Sequence, residues 1–364
     1  MMGPGDETMS DRPFAFRKIV ICGVGLIGGS LALALRRAGC VPAGAEIVGV
    51  GRSRASVERA VELGVVSSAC TFDDVAGLAH ALDGADIVLL AVPVAQTGAL
   101  LDVMLPHLQR QTIVTDAGST KRDVIAAARA SLGSRIDQFV PAHPIAGRER
   151  SGVEAAIDSL YDGRNVVLCP LPENRAEDVA RVDAMWRATG ARTHRMTPDQ
   201  HDTVFASVSH LPHLLSFALV DQILDSGEAD LKFAFAAGGF RDFTRIAASS
   251  PEMWRDIFVA NKQAVLAELD GYTAVLARLR AAIERGDGET LLTTFARARD
   301  ARSQWSDRPA QEPSRQSLRE AAIASGMTVQ AILTLRERMR GGAGSDTSTD
   351  ASTGSASRDD SAPE

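Results

Sequence analysis

Cysteine is scarce and poorly placed for staples. The 364-residue chain has four, Cys22, Cys40, Cys70 and Cys169, far apart and with no C-x-x-C pair. Neither a disulfide framework nor a metal site of the zinc type is suggested, and a reducing cytoplasm fits best. Positive charge is not in excess either. The formal net charge is −7, with acids gathered after Gly341, so the remainder is near neutral and offers no footprint for nucleic acid. The chain also lacks a convincing membrane run. Ile19 to Leu35 is uncharged and follows Arg17 and Lys18, but it falls short of the roughly 20 residues a spanning helix needs. Gly23, Gly25, Gly28 and Gly29 weaken it further as a helix. Arg36 and Arg37 occupy the place where a cleavage site before Cys40 would need small neutral residues. What remains is a soluble globular chain without internal repeats, and its 45% hydrophobic content is ample for a core in each of two domains.

Between Lys18 and Cys169, short β-branched runs (KIVICGVG, EIVGVG, DIVLLAVPV, TIVTDAGS, QFVPAHP, NVVLCP) alternate with helix-forming stretches. Continuous apolar runs of this kind predict parallel strands covered on both faces. Gly39 and Gly64 stand at expected helix C-termini. From about Pro172 the strand signal stops and helical patterns follow. One of them is apolar nearly all round (Leu211, Leu214, Leu215, Phe217, Ala218, Leu219, Val220), so it must be buried, and a partner subunit is the expected cover. The predicted class is α/β followed by all-α. Residues 1–16 read as a loose extension, 17–172 as the α/β domain, 173–305 as the helical domain and 306–340 as short helices. Residues 341–364 form a Gly/Ser/Thr/Asp tail too poor in apolar residues to fold.

Gly23-x-Gly25-x-x-Gly28, with Leu26 and Ile27 inside it, follows the first strand and opens a helix. This is the context a dinucleotide phosphate site requires: a tight turn, close backbone approach, close helix packing and unpaired helix N–H groups. A strand-to-helix turn of this kind implies a Rossmann-type domain. Its second strand should end in an acid if built for the ribose hydroxyl of NAD. The chain instead reads Gly51-Arg52-Ser53-Arg54, which tilts the cofactor from NAD towards NADP, because guanidiniums bind a 2′-phosphate that a carboxylate repels. Val92 and Pro93 end another strand at the cofactor crevice.

Asp116-Ala117-Gly118-Ser119-Thr120-Lys121 sets a hydroxyl and an ammonium after the next strand, with Ser119 as a helix N-cap the plainer alternative. His143 lies between Pro141 and Pro144, so its backbone is held stiffly on the loop where substrates bind, as suits a catalytic base. Downstream come Ser209-His210-Leu211-Pro212-His213 and then Gly239-Phe240-Arg241-Asp242-Phe243-Thr244-Arg245-Ile246-Ala247. Arginines in apolar surroundings call for an anionic partner, internal or bound.

GxGLIGGS, DAGSTK, HPIAG followed by Glu149, SHLPH and GFRDFTRIA, in that order, resemble the prephenate dehydrogenase family over residues 18 to about 300. The resemblance implies a Rossmann-type domain joined to a helical dimerisation domain. It further implies oxidative decarboxylation of prephenate to 4-hydroxyphenylpyruvate, or of the related arogenate to tyrosine, with hydride transfer to NAD(P). By resemblance, His143 takes the proton of the substrate hydroxyl, and Ser119 orients that hydroxyl beside the nicotinamide. Arg245 binds a substrate carboxylate, while Glu149, His213 and Lys121 surround the pocket. Trp254 is similar to a residue that reaches the neighbouring protomer's site. Arg148 adds a cation beside the pocket, either favouring the keto acid of prephenate or simply solvated. Two other readings compete. A β-hydroxyacid dehydrogenase would typically use a lysine from its helical domain, where Lys232 and Lys262 are the only ones before residue 306. A non-catalytic NADP(H) sensor would need neither His143 nor Ser119.

Overall fold

The computed structural model describes residues 14–148 and 150–306. The expected short helices over 306–340 and the tail over 341–364 fall outside the described residues, apart from Ser306, as do Glu149 and most of the expected N-terminal extension. That extension ends earlier than predicted, because Phe16 is buried in the core and Phe14 packs against it. The chain divides into two compact units, Arg12–Ala281 and one that takes in Ala282 onward.

The first unit opens with β1 (Lys18–Cys22), α1 (Leu26–Arg37), β2 (Glu46–Gly51), α2 (Arg54–Glu62), β3 (Ser68–Thr71), α3 (Val75–Leu82) and β4 (Ile87–Leu90). It continues through α4 (Thr97–Met104), β5 (Ile113–Asp116), α5 (Arg122–Leu132) and β6 (Phe139–Val140). The six strands form one parallel sheet in the order β3-β2-β1-β4-β5-β6. Ile19, Ile21 and Ile87 point into one core layer, and Val20, Cys22 and Val88 into the other. The period of two along each strand thus feeds both faces, which is why these runs read as continuously apolar. Order reverses between β1 and β4, and the crevice outside their carboxyl ends is where such sheets bind ligands. Gly39 and Gly64 end α1 and α2 with φ of 69° and 67°, the left-handed conformation that glycine adopts without a Cβ penalty.

Three corrections follow. QFVPAHP is not one strand: it breaks at Pro141, and β7 (Ala142–Pro144) leaves the main sheet to pair antiparallel with β8 (Asn165–Leu168). The α/β part does not stop at residue 172, since α6 (Ala176–Ala188) and β9 (Arg192–Arg195) follow, and β9 completes the three-stranded sheet β7-β8-β9. Val179, Val182, Met185 and Trp186 of α6 join the same core as Ile19 and Ile21, so this helix belongs to the α/β part. β9, with the sequence RTHR, is a partly exposed edge strand and β3 reads SACT. Neither has an apolar run to announce it.

The helical part begins with α7 (Pro198–Phe205). A capping box starts it: Thr197 Oγ1 accepts the Gln200 N–H at 3.2 Å and Gln200 Oε1 accepts the Thr197 N–H at 3.1 Å, with Pro198 at the first position. A π-helical turn, Ala206–His210, leads into α8 (Leu211–Leu224). Pro212 supplies no N–H, which breaks the ladder here, and separately the Ser209 carbonyl accepts the His213 Nδ1 proton at 2.8 Å. By length and composition alone Pro198–Leu224 could cross a membrane, but its histidines and Asp202 enter the polar network described below. Then come α9 (Ala229–Ala234), α10 (Gly238–Thr244), a 3₁₀ turn at Arg245–Ala248, α11 (Pro251–Ala260) and α12 (Lys262–Glu284). In the second unit α13 (Gly288–Ser306) is capped by Asp287, which accepts the Thr290 N–H at 3.0 Å. The expectation that the apolar α8 is buried is not met within one chain: only Leu211 and Ser216 are buried.

Candidate active site

Two clefts lie at the carboxyl ends of the large sheet. The first, of about 750 Å³, is lined by Gly23, Gly25, Arg52, Ser53, Val92 and Pro93. A Cβ on Gly23, whose φ is 98°, would sit 2.3 Å from the Ala91 carbonyl oxygen, and one on Gly28 would sit 2.3 Å from that of Gly23. Both glycines are therefore required by the turn itself. A Cβ on Gly25 would meet nothing within 4 Å, so Gly25 keeps the space in front of α1 clear. No side chain caps α1 and no acid stands in its first turn. Its N–H groups are available to an anion in that space, and the site fits a dinucleotide pyrophosphate.

Leu26 and Ile27 open α1. Their side chains pack against the core and the Ile27 carbonyl accepts the Tyr161 hydroxyl at 2.6 Å, leaving only their backbone N–H groups at the helix start for a cofactor. Arg52 and Ser53 line the cleft and Ser53 caps α2, but Arg54 does not line it and pairs with Glu58 at 3.7 Å. The opposite wall, unannounced by any motif, comes from α11 and its cap: Ser250, Glu252, Met253, Arg255 and Asp256.

The second cleft, of about 430 Å³, brings together Ser119, His143, Arg148, His213, Arg245 and Trp254. Residues from five chain segments thus converge on one space. Asp116, at the end of β5, fixes the two segments that carry the first pair. It accepts the Gly118 N–H at 2.9 Å and the Ala142 N–H at 3.0 Å, and it is paired with Lys121 Nζ. Lys121 is fully buried in that pair and lines neither cleft, so it braces the Ser119 loop instead of meeting substrate. A buried pair of this kind adds little net stability but fixes geometry through its hydrogen bonds. Ser119 is not an N-cap, because α5 starts three residues later behind Lys121.

His143 donates or accepts through Nδ1 to His201 Nε2 at 2.8 Å, and His201 Nδ1 meets Asp202 Oδ1 at 2.8 Å. Phe205 abuts both rings, with centroids 4.9 and 4.6 Å away. Removal from water, with His201, Lys121 and His210 nearby, holds His143 well below the ordinary imidazole value, so at neutral pH it is neutral and keeps one ring nitrogen free to accept a proton. Burial likewise lowers His201 and His213 and takes His210 down to about 4. His213 stacks on Trp254 at 3.7 Å. Trp254, expected to reach a neighbouring protomer's site, lines the cleft of its own chain. Arg148 and Arg245 also border a further space of about 470 Å³ with Arg150 and Glu154, so this side of the cleft is rich in guanidinium.

Sequence motifs did not point to His201, Asp202, Phe205 or Asp116. The available signal was a His-Asp pair on the helix that the T-P-D-Q cap begins, and an acid opening D-A-G-S-T-K.

Comparison with known proteins fits this geometry. Residues 31–195 match the profile described as "Prephenate dehydrogenase, nucleotide-binding domain", and residues 197–297 the profile "Prephenate dehydrogenase, dimerization domain". The chain belongs to the prephenate dehydrogenase family. It is 36% identical to prephenate dehydrogenase of Bacillus subtilis (strain 168), over 78% of this chain and 75% of that protein. It is 35% identical to cyclohexadienyl dehydrogenase of Zymomonas mobilis, over 79% of this chain and 95% of that one. Among solved structures, prephenate dehydrogenase from A. aeolicus in complex with hydroxyphenyl propionate and NAD+ superposes with a TM-score of 0.73 at 36% identity, covering 79% of this chain and 98% of that one. Residues 31–195 are accordingly the nucleotide-binding domain of a family enzyme, and the helical part is its dimerisation domain.

Proposed function

We propose that the protein is a cytoplasmic, homodimeric enzyme of tyrosine biosynthesis that oxidises prephenate to 4-hydroxyphenylpyruvate and CO2. The observation that carries this reading is the single cleft that Ser119 and His143 line together with Arg148, His213 and Arg245. An oxidised nicotinamide, when bound in the glycine-lined cleft, would supply the hydride acceptor. The chain's own part is to hold the substrate and manage one proton. His143 takes the hydroxyl proton as the hydride leaves the same carbon. The carboxylate carbon–carbon bond then breaks, its electron pair closes the aromatic ring, and the phenolate oxygen takes the proton back. No net proton is released. Loss of CO2 needs no acid of its own, so positioning is the main task. Ser119 orients the hydroxyl, Arg245 holds a carboxylate, and Arg148 with Arg150 adds the charge that favours a keto acid over an amino acid. Glu149 belongs to the same rim by resemblance alone.

Arg52 with Ser53, where an acid would select NAD, favours NADP. Arg52→Asp should lower the NADP preference by about tenfold, the worth of roughly one charge-assisted contact. The half-exposed apolar surface of α8 is proposed to close against a second copy. Turnover measured with prephenate and arogenate, each paired with NAD and NADP, tests the reading: prephenate with NADP should be the best pair, and silence in all four overturns it. Light scattering should report a dimer, and a monomer would remove the proposed cover of α8.

A further inference from the structure

The segment before SHLPH holds a buried polar pair, His201 and Asp202, that the proposed reaction leaves unused. His143 Nδ1 lies 2.8 Å from His201 Nε2, and His201 Nδ1 lies 2.8 Å from Asp202 Oδ1. His201 and Asp202 are buried, so no water competes for these bonds. Asp202 already accepts three further hydrogen bonds. They come from the Lys121 N–H at 2.8 Å, the Arg122 N–H at 2.9 Å and Arg122 Nε at 3.1 Å. Burial pushes its carboxyl up, but the bonds from His201 and from the Arg122 and Lys121 N–H groups outweigh this and hold it below the ordinary range. An ionised carboxylate only accepts.

That fact propagates. Since Asp202 can only accept, His201 must carry its proton on Nδ1 and present a bare Nε2. His143 must then donate from Nδ1, which leaves its own Nε2 without a proton on a ring that lines the cleft. We propose that His201 and Asp202 are positioning residues for His143, fixing the tautomer whose bare Nε2 receives the substrate hydroxyl proton. When His143 takes that proton, the Nε2–H bond forms as the hydroxyl O–H breaks, and the Nδ1 proton can shift onto His201 Nε2. The positive charge then rests beside the Asp202 carboxylate, and the reverse shift returns the proton to the phenolate. Every atom is conserved, and no oxidant beyond the nicotinamide is involved. Phe205, touching both rings, keeps them from turning away.

This inference rests on His143 being the base, and the test separates the two. Nitrogen-labelled histidine NMR of the unliganded protein should show His143 protonated at Nδ1. Asp202→Asn can donate to His201 Nδ1 and reverse the chain, and kcat should fall about a hundredfold or more with KM and cofactor affinity little changed, as for a base held in the wrong tautomer. His201→Leu should lose about as much, while His201→Gln, whose Oε1 still accepts from His143 Nδ1, should recover part of the loss. A merely structural role would not produce that ranking. His143 protonated at Nε2 in the wild-type spectrum overturns the inference, even if Asp202→Asn fails to fold. So do His201→Leu and His201→Gln with equal turnover, or a folded Asp202→Asn with kcat within threefold of wild type. If His143→Asn is itself near normal, the base assignment fails first.

Discussion

The α/β part and the helical part of the first unit bury their apolar side chains to different degrees. In β1, β4 and α1, Ile19, Ile21, Ile87 and Leu31 have no exposed surface, and two core layers sandwich the sheet. In the helical part after α7, Phe235 is 82% exposed, Val259 72% and Leu224 57%, and α8 buries only two of its residues. The first part closes on itself, whereas the second leaves apolar side chains uncovered among the described residues. Chemistry divides along the same line. In the proposed reaction the closed part supplies the groups that touch the hydroxyl, Ser119 and His143, from loops braced by Asp116. The open part supplies the groups proposed to grip, His213, Arg245 and Trp254. Rigid backing suits proton transfer, which tolerates little displacement. Anchoring a charged side chain is more forgiving.

The comparison can be broken in several ways. Leu31→Ala should cost about 3 kcal/mol of unfolding free energy, as buried leucine truncations do. Leu219→Ala, half-buried in the single chain, should cost under about 1 kcal/mol in the dissociated protein by denaturant melts. Equal losses would erase the distinction. His143→Asn should lower kcat by about a hundredfold, equivalent to about 2.7 kcal/mol of barrier. Arg245→Ala should raise KM by about tenfold with kcat nearly kept, the signature of uniform binding. A swap of these two kinetic patterns would contradict the division into reacting and gripping walls.

The remaining effect concerns pH. His143, His201, His210 and His213 are all held below the ordinary imidazole value. The unfolded chain then binds more protons than the folded one once the pH drops below about 6.5, so stability declines with acidification. For His210 the slope approaches about 1.4 kcal/mol per pH unit and persists down to its folded value of about 4. Turnover should hold flat through pH 6.5 into the acid range, because His143 stays neutral there. A rate limb centred on 6.5 would show that His143 titrates like a solvated imidazole.

Much of this was legible because the relevant signals are local. KIVIC, EIVGV and DIVLL are apolar on both faces, and Gly23, Gly25 and Gly28 follow a strand and precede a helix. Steric necessity in one turn suffices to read them. Ser119, His143 and Arg245 stood in motifs whose order carried the family, and the structure gathers them into one cleft. The polar edge strand RTHR escaped notice because it has no buried face of its own. Lys121 looked like a ligand because sequence does not show burial, and its partner Asp116 lies five residues earlier around a loop. His201 and Asp202 act through His143, 58 residues away from His201, and contacts at that range leave no spacing to read. Trp254 could be placed by resemblance but its stack on His213 could not.

The break at Pro141 means that Ser119 and His143 hang from different sheets, one from β5 in the large sheet and the other from β7 in the small one. The Asp116 carboxylate, reaching the Ala142 N–H at 3.0 Å, rivets the seam between them. The gap across which the hydroxyl must fit is therefore set by how two sheets meet, and one anionic side chain with its buried ammonium ties them at that point.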